Sequence, residues 1–335
     1  MVDYIEDVLG GLGVRVKSSN PANPTDGEVW FNSTADKLRY NTPPGPGVWA
    51  TGGDLNTGRR IVHGGAGTVT AALFFGGNIP TGSPAYSALN ESYNGTSWTE
   101  VADLNKARDA LGGSGLQTAA LAFGGFDGSN RLGNNESWNG SAWTEVADLN
   151  EARKAHGAGT QTATLAFGGE SPSGAARGVN ESWNGSAWTE VADLNAVVER
   201  CGCTGTTTAA LAFGGDDVSG NELTKNELWN GSAWTEVADL NRARNAGGAS
   251  GTSTSSVFMG GFPSDITTMQ TGETEEWNGS SWTEVNNMSL GRYIGGSSPG
   301  APTSGAWVAG GWRPGSMEAT EEFTKGTGVE SIGEA

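Results

Sequence analysis

The chain has 335 residues, of which 55 are Gly and only 17% are charged, and its formal net charge is −18. Its 13 Trp and 10 Phe supply more large apolar surface than disordered chains carry, so the composition predicts an all-β fold of many short strands and tight turns. An acidic surface repels phosphate backbones, which argues against nucleic-acid binding, and no apolar run approaches the ~20 residues that cross a bilayer, which argues against membrane insertion.

The first residues and the cysteines indicate where the chain is made. The start, Met-Val-Asp-Tyr-Ile-Glu-Asp, lacks the basic and apolar regions of a secretory signal. Cys201 and Cys203 lie one residue apart, and a disulfide between such neighbours in a strand would be badly strained. We therefore expect synthesis and folding in a reducing cytoplasm.

The N-terminal region is predicted to form an arm ahead of the main fold. Val2–Leu9 is expected to form one or two turns of helix, and Gly10–Pro24 is rich in Gly, Ser, Asn and Pro, which is typical of a linker. Glu28–Asn32 and Lys37–Asn41 are predicted to form a β-hairpin.

Residues 24–49 carry a first resemblance. The run Pro-Thr-Asp-Gly-Glu-Val-Trp-Phe-Asn-Ser-Thr-Ala-Asp-Lys-Leu-Arg-Tyr-Asn and the Pro/Gly turn after it resemble a short module of structural and appendage proteins of tailed bacteriophages. The resemblance implies a virion location, after synthesis in the host cytoplasm, with the arm bound to other virion proteins. The alternative is that the arm is a disordered tail.

The main part of the chain is a repeat. The run Trp-Asn-Gly-Ser-Ala-Trp-Thr-Glu-Val-Ala-Asp-Leu-Asn occurs unchanged from Trp138, Trp183 and Trp229, with variants from Tyr93 and Trp277. The steps between these aromatic residues are 45, 45, 46 and 48, and an apolar strand ending in Gly-Gly recurs six times. A period of this length is the signature of a propeller or an array.

Each unit is predicted to contain four strands. In the third unit a Gly-rich stretch precedes an apolar strand, and Asn184-Gly185 then joins two β-prone runs. Asn-Gly favours a two-residue type I′ turn, which would place Trp183 opposite Ser186 and Glu181 opposite Trp188. The two tryptophans would share one sheet face and fill the wedge between neighbouring sheets.

These repeated features resemble the kelch repeat over residues 55 to about 325. The resemblance implies a β-propeller and implies no particular chemistry, because unrelated functions share such folds. The last unit lacks an outer strand, which Val48–Thr51 is expected to supply by pairing near Phe323. We therefore predict a six-bladed kelch-like β-propeller closed by an N-terminal strand and preceded by the short arm with its hairpin. The predicted boundaries are 1–26 for the anchoring arm and linker, 27–47 for the hairpin module, 48–325 for the propeller and 326–335 for a C-terminal tail.

The predicted topology gives the propeller two different faces. The Asn-Gly turns lie on one face, and six loops of variable length and sequence lie on the other, which we call the loop face. Binding residues are often carried on loops held by a rigid scaffold, although loops also vary where nothing restrains them. If this face binds a ligand, which we expect to be a host-surface glycan or protein, the candidates are Tyr86, Phe126, Asp127, Asp216, Asp217, Phe262, Trp312 and Arg313.

Two other recurrent sets have structural interpretations. His63, His156 and Cys201 precede the first Gly of an innermost strand, but Leu, Ile and Ala hold this place in other units, so we predict packing and no metal site. Five arginines follow the Asp-Leu-Asn turn, and we expect them to pair with its Asp and tie blades together, although a ring that grips an anion is the alternative. The arginines are Arg59, Arg108, Arg153, Arg244 and Arg292, with Arg200 expected in the fourth unit after an insertion.

The leading hypothesis is a non-enzymatic structural protein of a tailed-phage virion, namely an accessory head or tail fibre or a decoration protein. It would need no cofactor and take part in host attachment, and a homo-oligomer is compatible with it. The alternative is a bacterial kelch-type adaptor or surface adhesin that binds protein through the same loops. A propeller enzyme is the least favoured, because no copper-ligand set, sialidase box or pair of catalytic carboxylates stands out.

Overall fold

The structure is a computed structural model. It describes residues 4–5, 14–19, 28–41, 47–60, 64–80, 82, 85–266, 270–293, 295–297, 305–312, 318–325 and 329–331. Across these ranges all regular structure is β-strand, which confirms the all-β prediction. No helix in this part of the chain has the length and apolarity of a membrane span.

Six small antiparallel sheets form the blades of a β-propeller, as predicted. Blade 1 contains β6 (Gly65–Thr68), β7 (Ala71–Phe75), β8 (Asn90–Tyr93) and β9 (Trp98–Val101). Blade 2 contains β10 (Gly112–Leu116), β11 (Ala119–Phe123), β12 (Asn135–Trp138) and β13 (Trp143–Val146). Blade 3 contains β14 (Lys154–Thr160), β15 (Ala163–Glu170), β16 (Asn180–Trp183) and β17 (Trp188–Val191).

The other three blades repeat this order. Blade 4 contains β18 (Gly202–Thr206), β19 (Ala209–Phe213), β20 (Asn226–Trp229) and β21 (Trp234–Glu236). Blade 5 contains β22 (Gly248–Thr252), β23 (Ser255–Met259), β24 (Thr274–Trp277) and β25 (Trp282–Val285). Blade 6 contains β26 (Gly305–Ala309), β27 (Thr320–Thr324) and β5 (Val48–Thr51).

The N-terminal strand closes the ring, as the sequence predicts. The strand β5 is the neighbour of β27 in the sheet of blade 6, and Gly52 N donates to Thr320 O at 3.0 Å. The rings of Trp49 and Phe323 lie 5.3 Å apart. Closure removes the unpaired strand edges that an open array would expose.

The wedges between blades are filled by the repeated tryptophans. Trp183 and Trp188 are directly opposite each other on β16 and β17, with ring centroids 5.4 Å apart. Both are buried, and they pack against Phe123 of the preceding blade. These aromatic rings are therefore core, as predicted.

The Asn-Gly turn is longer than predicted. Its register places Trp183 opposite Trp188, which leaves the four residues 184–187 in the loop. Asn184 Oδ1 accepts from the backbone N–H groups of Ser186 and Ala187, and Gly185 has φ +92°. The two-residue turn was therefore wrong: the Asn184 side chain, together with a backbone bond from Asn184 N to Ala187 O at 3.2 Å, closes a four-residue loop.

The Gly-Gly doublets allow each blade to approach the next. A Cβ on Gly76, which has φ +70°, would lie 2.8 Å from the carbonyl oxygen of Arg108 in the next blade. The N–H of Gly77 donates to that same oxygen at 2.9 Å. A side chain at the first Gly would both strain the backbone and push the blades apart.

A buried ion pair recurs at the start of each blade except the fourth. We call it the Arg–Glu clamp. Its arginine is 0–1% exposed, and its partner is the glutamate at the second position of the strand that follows the variable loop. The pairs are Arg59 with Glu91, Arg108 with Glu136, Arg153 with Glu181, Arg244 with Glu275 and Arg292 with Glu321.

The predicted partner of these arginines was wrong. In blades 1 to 3 the Asp of the Asp-Leu-Asn turn accepts from the backbone of its own blade instead, as Asp103 does from Asn90 N at 3.3 Å. The Asn of that turn ties the blades, because Asn105 donates through its backbone N and its Nδ2 to Glu136 of the next blade, at 2.7 and 2.9 Å. The structural interpretation thus holds with a different carboxylate.

Arg200 does not occupy the fourth clamp position. No insertion separates it from the turn, since Val198 stands where Arg153 stands in the previous unit. Arg200 instead contacts Glu199 and Asp216, and its side chain is 43% exposed. The predicted replacement was therefore wrong.

The two chain ends form one unit, residues 1–48 with 325–335, and Trp49–Thr324 forms the other, the propeller unit. Its sheet has the order β1 (Tyr4–Ile5), β2 (Val14–Lys17), β3 (Val29–Asn32), β4 (Lys37–Asn41) and β28 (Val329–Ser331). The predicted hairpin is present as β3 and β4. The expected helix over Val2–Leu9 was wrong for Tyr4–Ile5, which is a strand. Val329–Ser331 is also a strand, in a segment predicted to be a tail.

Candidate ligand-binding surface

The loop face carries a ring of twelve residues in six pairs, which we call the loop-face ring. One member of each pair directly follows a Gly-Gly doublet, and the other directly follows the clamp position of the same blade. Each pair forms an antiparallel bridge at the loop-face end of the two innermost strands. The pairs are Asn78 with Arg60, Phe126 with Asp109, Glu170 with Lys154, Asp216 with Glu199, Phe262 with Asn245 and Trp312 with Tyr293.

Side chains of this ring touch from blade to blade. The Arg60 guanidinium of blade 1 lies 4.7 Å from the ring centroid of Trp312 in blade 6. The Trp312 partner Tyr293 packs 5.8 Å from Phe262 of blade 5. Asn245 of that blade donates to Asp216 of blade 4.

The other half of the ring is joined in the same way. Lys154 Nζ of blade 3 lies 5.3 Å from the ring of Phe126 in blade 2. Tyr86, in the long loop of blade 1, packs edge-on against the same ring at 5.6 Å. Contacts thus connect the ring from blade 4 through blades 5, 6, 1 and 2 to blade 3, with Tyr86 as the link between blades 1 and 2.

Charges on two other blades act on Tyr293 of blade 6. Burial raises the pKa of Tyr293, and the positive charges of Arg60 in blade 1 and Arg200 in blade 4 oppose that rise. Blades 1 and 4 are three places apart in a ring of six. The charges of Arg60 and Arg200 thus both act on Tyr293.

Two buried carboxyl groups of the ring have raised pKa values. Burial raises the pKa of Asp109 to about 7, and Lys154 and Arg60 oppose the rise. Burial also raises the pKa of Asp216 to about 6, against the Arg200 charge and the Asn245 hydrogen bond. Carboxyl groups that change protonation near neutral pH are concentrated at functional sites.

Four of the predicted candidates occupy equivalent positions in this ring. Phe126, Asp216, Phe262 and Trp312 each directly follow a Gly-Gly doublet. Trp312 is 36% exposed, Phe126 and Phe262 are half-buried, and Asp216 is fully buried. Tyr86 joins the ring through its contact with Phe126.

The other three candidates lie elsewhere. Asp127 Oδ1 accepts from the N–H groups of Ser129 and Asn130, and these bonds lower the pKa of Asp127 to about 2. Asp217 makes the equivalent turn in blade 4, with bonds from Ser219 and Asn221. Both aspartates are engaged in shaping their loops, and Arg313 lies outside the described residues.

Sequence reasoning missed the second member of each pair. Arg60, Asp109, Lys154 and Tyr293 fall in the links between blades and not in the variable loops. The sequence contained a signal for these residues. Each directly follows the clamp position, which is Arg in five of the six units, and yet the residue type after it differs between units. Variation beside a fixed residue marks a position that the fold leaves open.

The possible metal ligands do not converge. His156 is buried, its Nε2 accepts from Arg200 N at 2.9 Å, and burial lowers its pKa to about 3. Cys201 is buried and its thiol pKa is raised, chiefly by burial. His63 lies outside the described residues, and among the residues that are described no three His, Cys, Asp or Glu side chains are grouped to hold a metal.

The ring combines chemistries that suit a polar ligand. Half-buried aromatic rings offer flat apolar faces, Arg60 supplies donors, and Lys154 pairs with the carboxylate of Glu170. Such a mixture fits sugars and polar protein segments, which present hydroxyl or amide groups next to apolar faces.

Comparisons with known proteins add the fold. The chain is similar to a solved structure titled "Structure of YjhT", with a TM-score of 0.65 over 82% of this chain and 99% of that one. The sequence identity is 13%, so this likeness shows the fold alone. No family model matches the chain, and no curated protein matches it either. The six blades and their repeated motifs are consistent with a kelch-type propeller.

Proposed function

We propose that the chain is a non-enzymatic binding protein whose loop-face ring holds a polar ligand, a glycan or a protein segment of a host surface. The observation that carries this proposal is the contrast in sequence within the ring. The clamps and wedge tryptophans are nearly the same in every blade, whereas the positions after Gly-Gly read Asn, Phe, Glu, Asp, Phe and Trp. Contacts that serve only the fold would repeat with the fold.

We further propose that the protein is an accessory structural component of a tailed-phage particle. The support is the resemblance of residues 24–49 to a module of phage appendage proteins. In this role the unit of the two chain ends binds other virion proteins, and the propeller presents its loop face to the host.

The binding role is tested on a glycan array, with Trp312→Ala and Phe262→Ala as the ring variants. Leu116→Ala is the matched control, because Leu116 is 57% exposed and ends β10 at the face of the Asn-Gly turns. We expect a glycan signal that the ring variants lower at least tenfold and the control leaves unchanged. Equal signals from all four proteins would refute a glycan role for the ring.

The array also separates the two ligand classes. If no glycan binds, capture of a host-surface protein by the wild type but not by Trp312→Ala supports the protein ligand. Capture that survives in both ring variants contradicts the proposal.

The particle role needs a separate measurement. Quantitative mass spectrometry of purified particles of the phage that encodes the chain is expected to find it at a fixed copy number. Its absence from the particles would refute the virion assignment. The binding role of the ring would still be decided by the glycan array.

A further inference from the structure

The loop-face ring divides into two halves that differ in whether their polar side chains are paired. Two of its twelve members are phenylalanines, and the other ten carry a side-chain N or O atom. In blades 3, 4 and 5 every such member contacts a polar partner, and we call this half the paired arc. Lys154 pairs with Glu170, Asn245 donates to Asp216, and Glu199 pairs with Arg200.

The other half of the ring lies in blades 6, 1 and 2, and we call it the open arc. Within the described part of the chain, none of its polar side chains makes a hydrogen bond or an ion pair with another residue. The Arg60 guanidinium contacts the face of Trp312, but its buried Nε has no acceptor. The members of the open arc are Arg60, Asn78, Asp109, Tyr293 and Trp312.

The absence of partners in the open arc is not a consequence of exposure. Asn78 is 8% exposed and Asp109 is 4% exposed, close to the 3% of Asn245 in the paired arc. Buried polar groups nearly always have a hydrogen-bond partner, because leaving one unsatisfied costs free energy. The open arc therefore presents buried polar groups that only a molecule other than this chain can satisfy.

Tyr86 extends the open arc into the long loop of blade 1. Burial raises the pKa of Tyr86, and the charge of Asp109 adds to this rise. Among the residues that the structure describes, the Tyr86 hydroxyl also has no hydrogen-bond partner. Burial raises the pKa of Asp109 as well, and Lys154 and Arg60 oppose that rise. The positive charge of Arg60 is thus offset in part by the Asp109 carboxyl.

The open arc offers donors, acceptors and aromatic rings together. Arg60 and the Trp312 indole donate, the Asp109 carboxylate accepts, and the amide and phenol groups do both. Trp312 is 36% exposed, so part of its ring is open to a ligand. Sugar hydroxyls donate and accept at the same time, next to apolar C–H faces. The formal charge of −18 disfavours an acidic sugar.

We propose that the ligand of the loop-face ring is a neutral sugar residue that binds over the open arc. Its hydroxyl groups bond to Asn78, Asp109 and Tyr293, and its apolar face lies on Trp312. The inference rests on the proposed function, because it names the ligand class and the half of the same ring that binds it. The paired arc makes no contact with the sugar, and Phe262 borders the open arc through its contact with Tyr293.

The test compares two asparagines of the ring by glycan binding and by thermal unfolding. An array of neutral and acidic glycans identifies the neutral glycan that the wild type binds best, and each variant is titrated with it. Asn78→Ala should weaken binding about tenfold and shift the unfolding midpoint by less than about 1 °C, because no bond within the chain is lost. Asn245→Ala leaves Asp216 without its amide donor, so it should lower the midpoint by about 2–4 °C and keep the affinity.

Two tyrosines give a second pair in which only a hydroxyl group is removed. Tyr293→Phe should weaken glycan binding and leave the midpoint unchanged. Tyr93→Phe removes the hydroxyl that donates to Glu322 in the core, so it should lower the midpoint and keep the affinity.

The outcomes separate this inference from the proposed function. If Trp312→Ala weakens binding but Asn78→Ala and Tyr293→Phe do not, the ring binds a ligand while the open arc holds only water, and the inference is overturned. A wild type that binds acidic glycans best, or that captures only a host-surface protein, overturns the neutral sugar and leaves the binding function standing. A wild type that binds neither glycan nor protein overturns both.

Discussion

Each clamp arginine is directly followed in the chain by a residue of the loop-face ring, yet the two sets differ in how buried they are and in how much they vary between blades. In the clamps the same two side chains meet in five blades, fully buried and paired. In the ring the twelve side chains change from blade to blade, and two buried carboxyls, Asp109 and Asp216, have raised pKa values. The difference separates a repeated, buried layer that holds the fold from a variable layer, to which we assign ligand recognition as a proposal.

The largest effect is expected from breaking a clamp. Glu136→Ala leaves the fully buried guanidinium of Arg108 without its carboxylate, which should lower the free energy of unfolding by about 3–5 kcal/mol. Urea denaturation measures this loss. Lys106→Ala is the matched control, because Lys106 is two residues from Arg108 and forms an exposed pair with Asp127 that should contribute about 0–1 kcal/mol. Equal losses in the two variants would show that the clamps do not hold the blades together.

A smaller, pH-dependent effect is expected in the ring. The pKa of Asp109 is raised to about 7 in the folded protein from 3.8, so its contribution to stability is full below about pH 4 and is lost as the pH rises through 7. Compared with Asp109→Asn, the wild type should therefore gain stability between pH 8 and pH 4, by on the order of a few kcal/mol. Unfolding titrations at several pH values measure the difference between the two proteins.

Asp127 provides the opposite sign as a control. Its pKa is lowered to about 2 by the backbone bonds of its turn and by Lys106. The contribution of Asp127 to stability is present above about pH 4 and is lost as the pH falls through 2. Compared with Asp127→Asn, the wild type should therefore lose stability as the pH falls from about 4 to 2, whereas compared with Asp109→Asn it gains stability as the pH falls. If the free energies of unfolding of the wild type and of Asp109→Asn differed by the same amount at every pH, Asp109 would be ionised throughout this range. The Asp109 carboxyl would then be charged in the folded protein, as the clamp glutamates are.

The smallest effect on stability is expected from Trp312→Ala. This side chain is 36% exposed and its main contact is the Arg60 guanidinium, so its removal should change the free energy of unfolding by less than about 1 kcal/mol. Trp188→Ala is the comparison, since that ring is 6% exposed in a wedge and its loss should cost about 3–5 kcal/mol. If Trp312→Ala destabilised the protein as much, its ring would belong to the core and not to a binding surface.

The wrong or incomplete sequence predictions concern the partners of the clamp arginines and half of the loop-face ring. Each clamp joins residues about 30 apart, such as Arg108 and Glu136, through strands that meet only in the folded blade. The Asp near each Arg in sequence was a plausible partner, yet in the fold it turns back to its own blade. The sequence predicted only part of the loop-face ring. The variable loops stand out because their length and sequence differ between units, whereas the ring residues in the segments between blades, such as Arg60 and Lys154, do not stand out in this way.

The sequence by itself determined the repeat, the number of blades, the buried tryptophans and the closure by Val48–Thr51. These follow from periodicity and from apolar groups that only a closed ring can bury, and so they are local or repeated signals. The tertiary structure decided which charges meet, the four-residue Asn-Gly turn, and which polar side chains of the loop-face ring pair within the chain. Such features depend on where distant strands bring side chains together, and electrostatic partners are chosen at that distance and not along the chain.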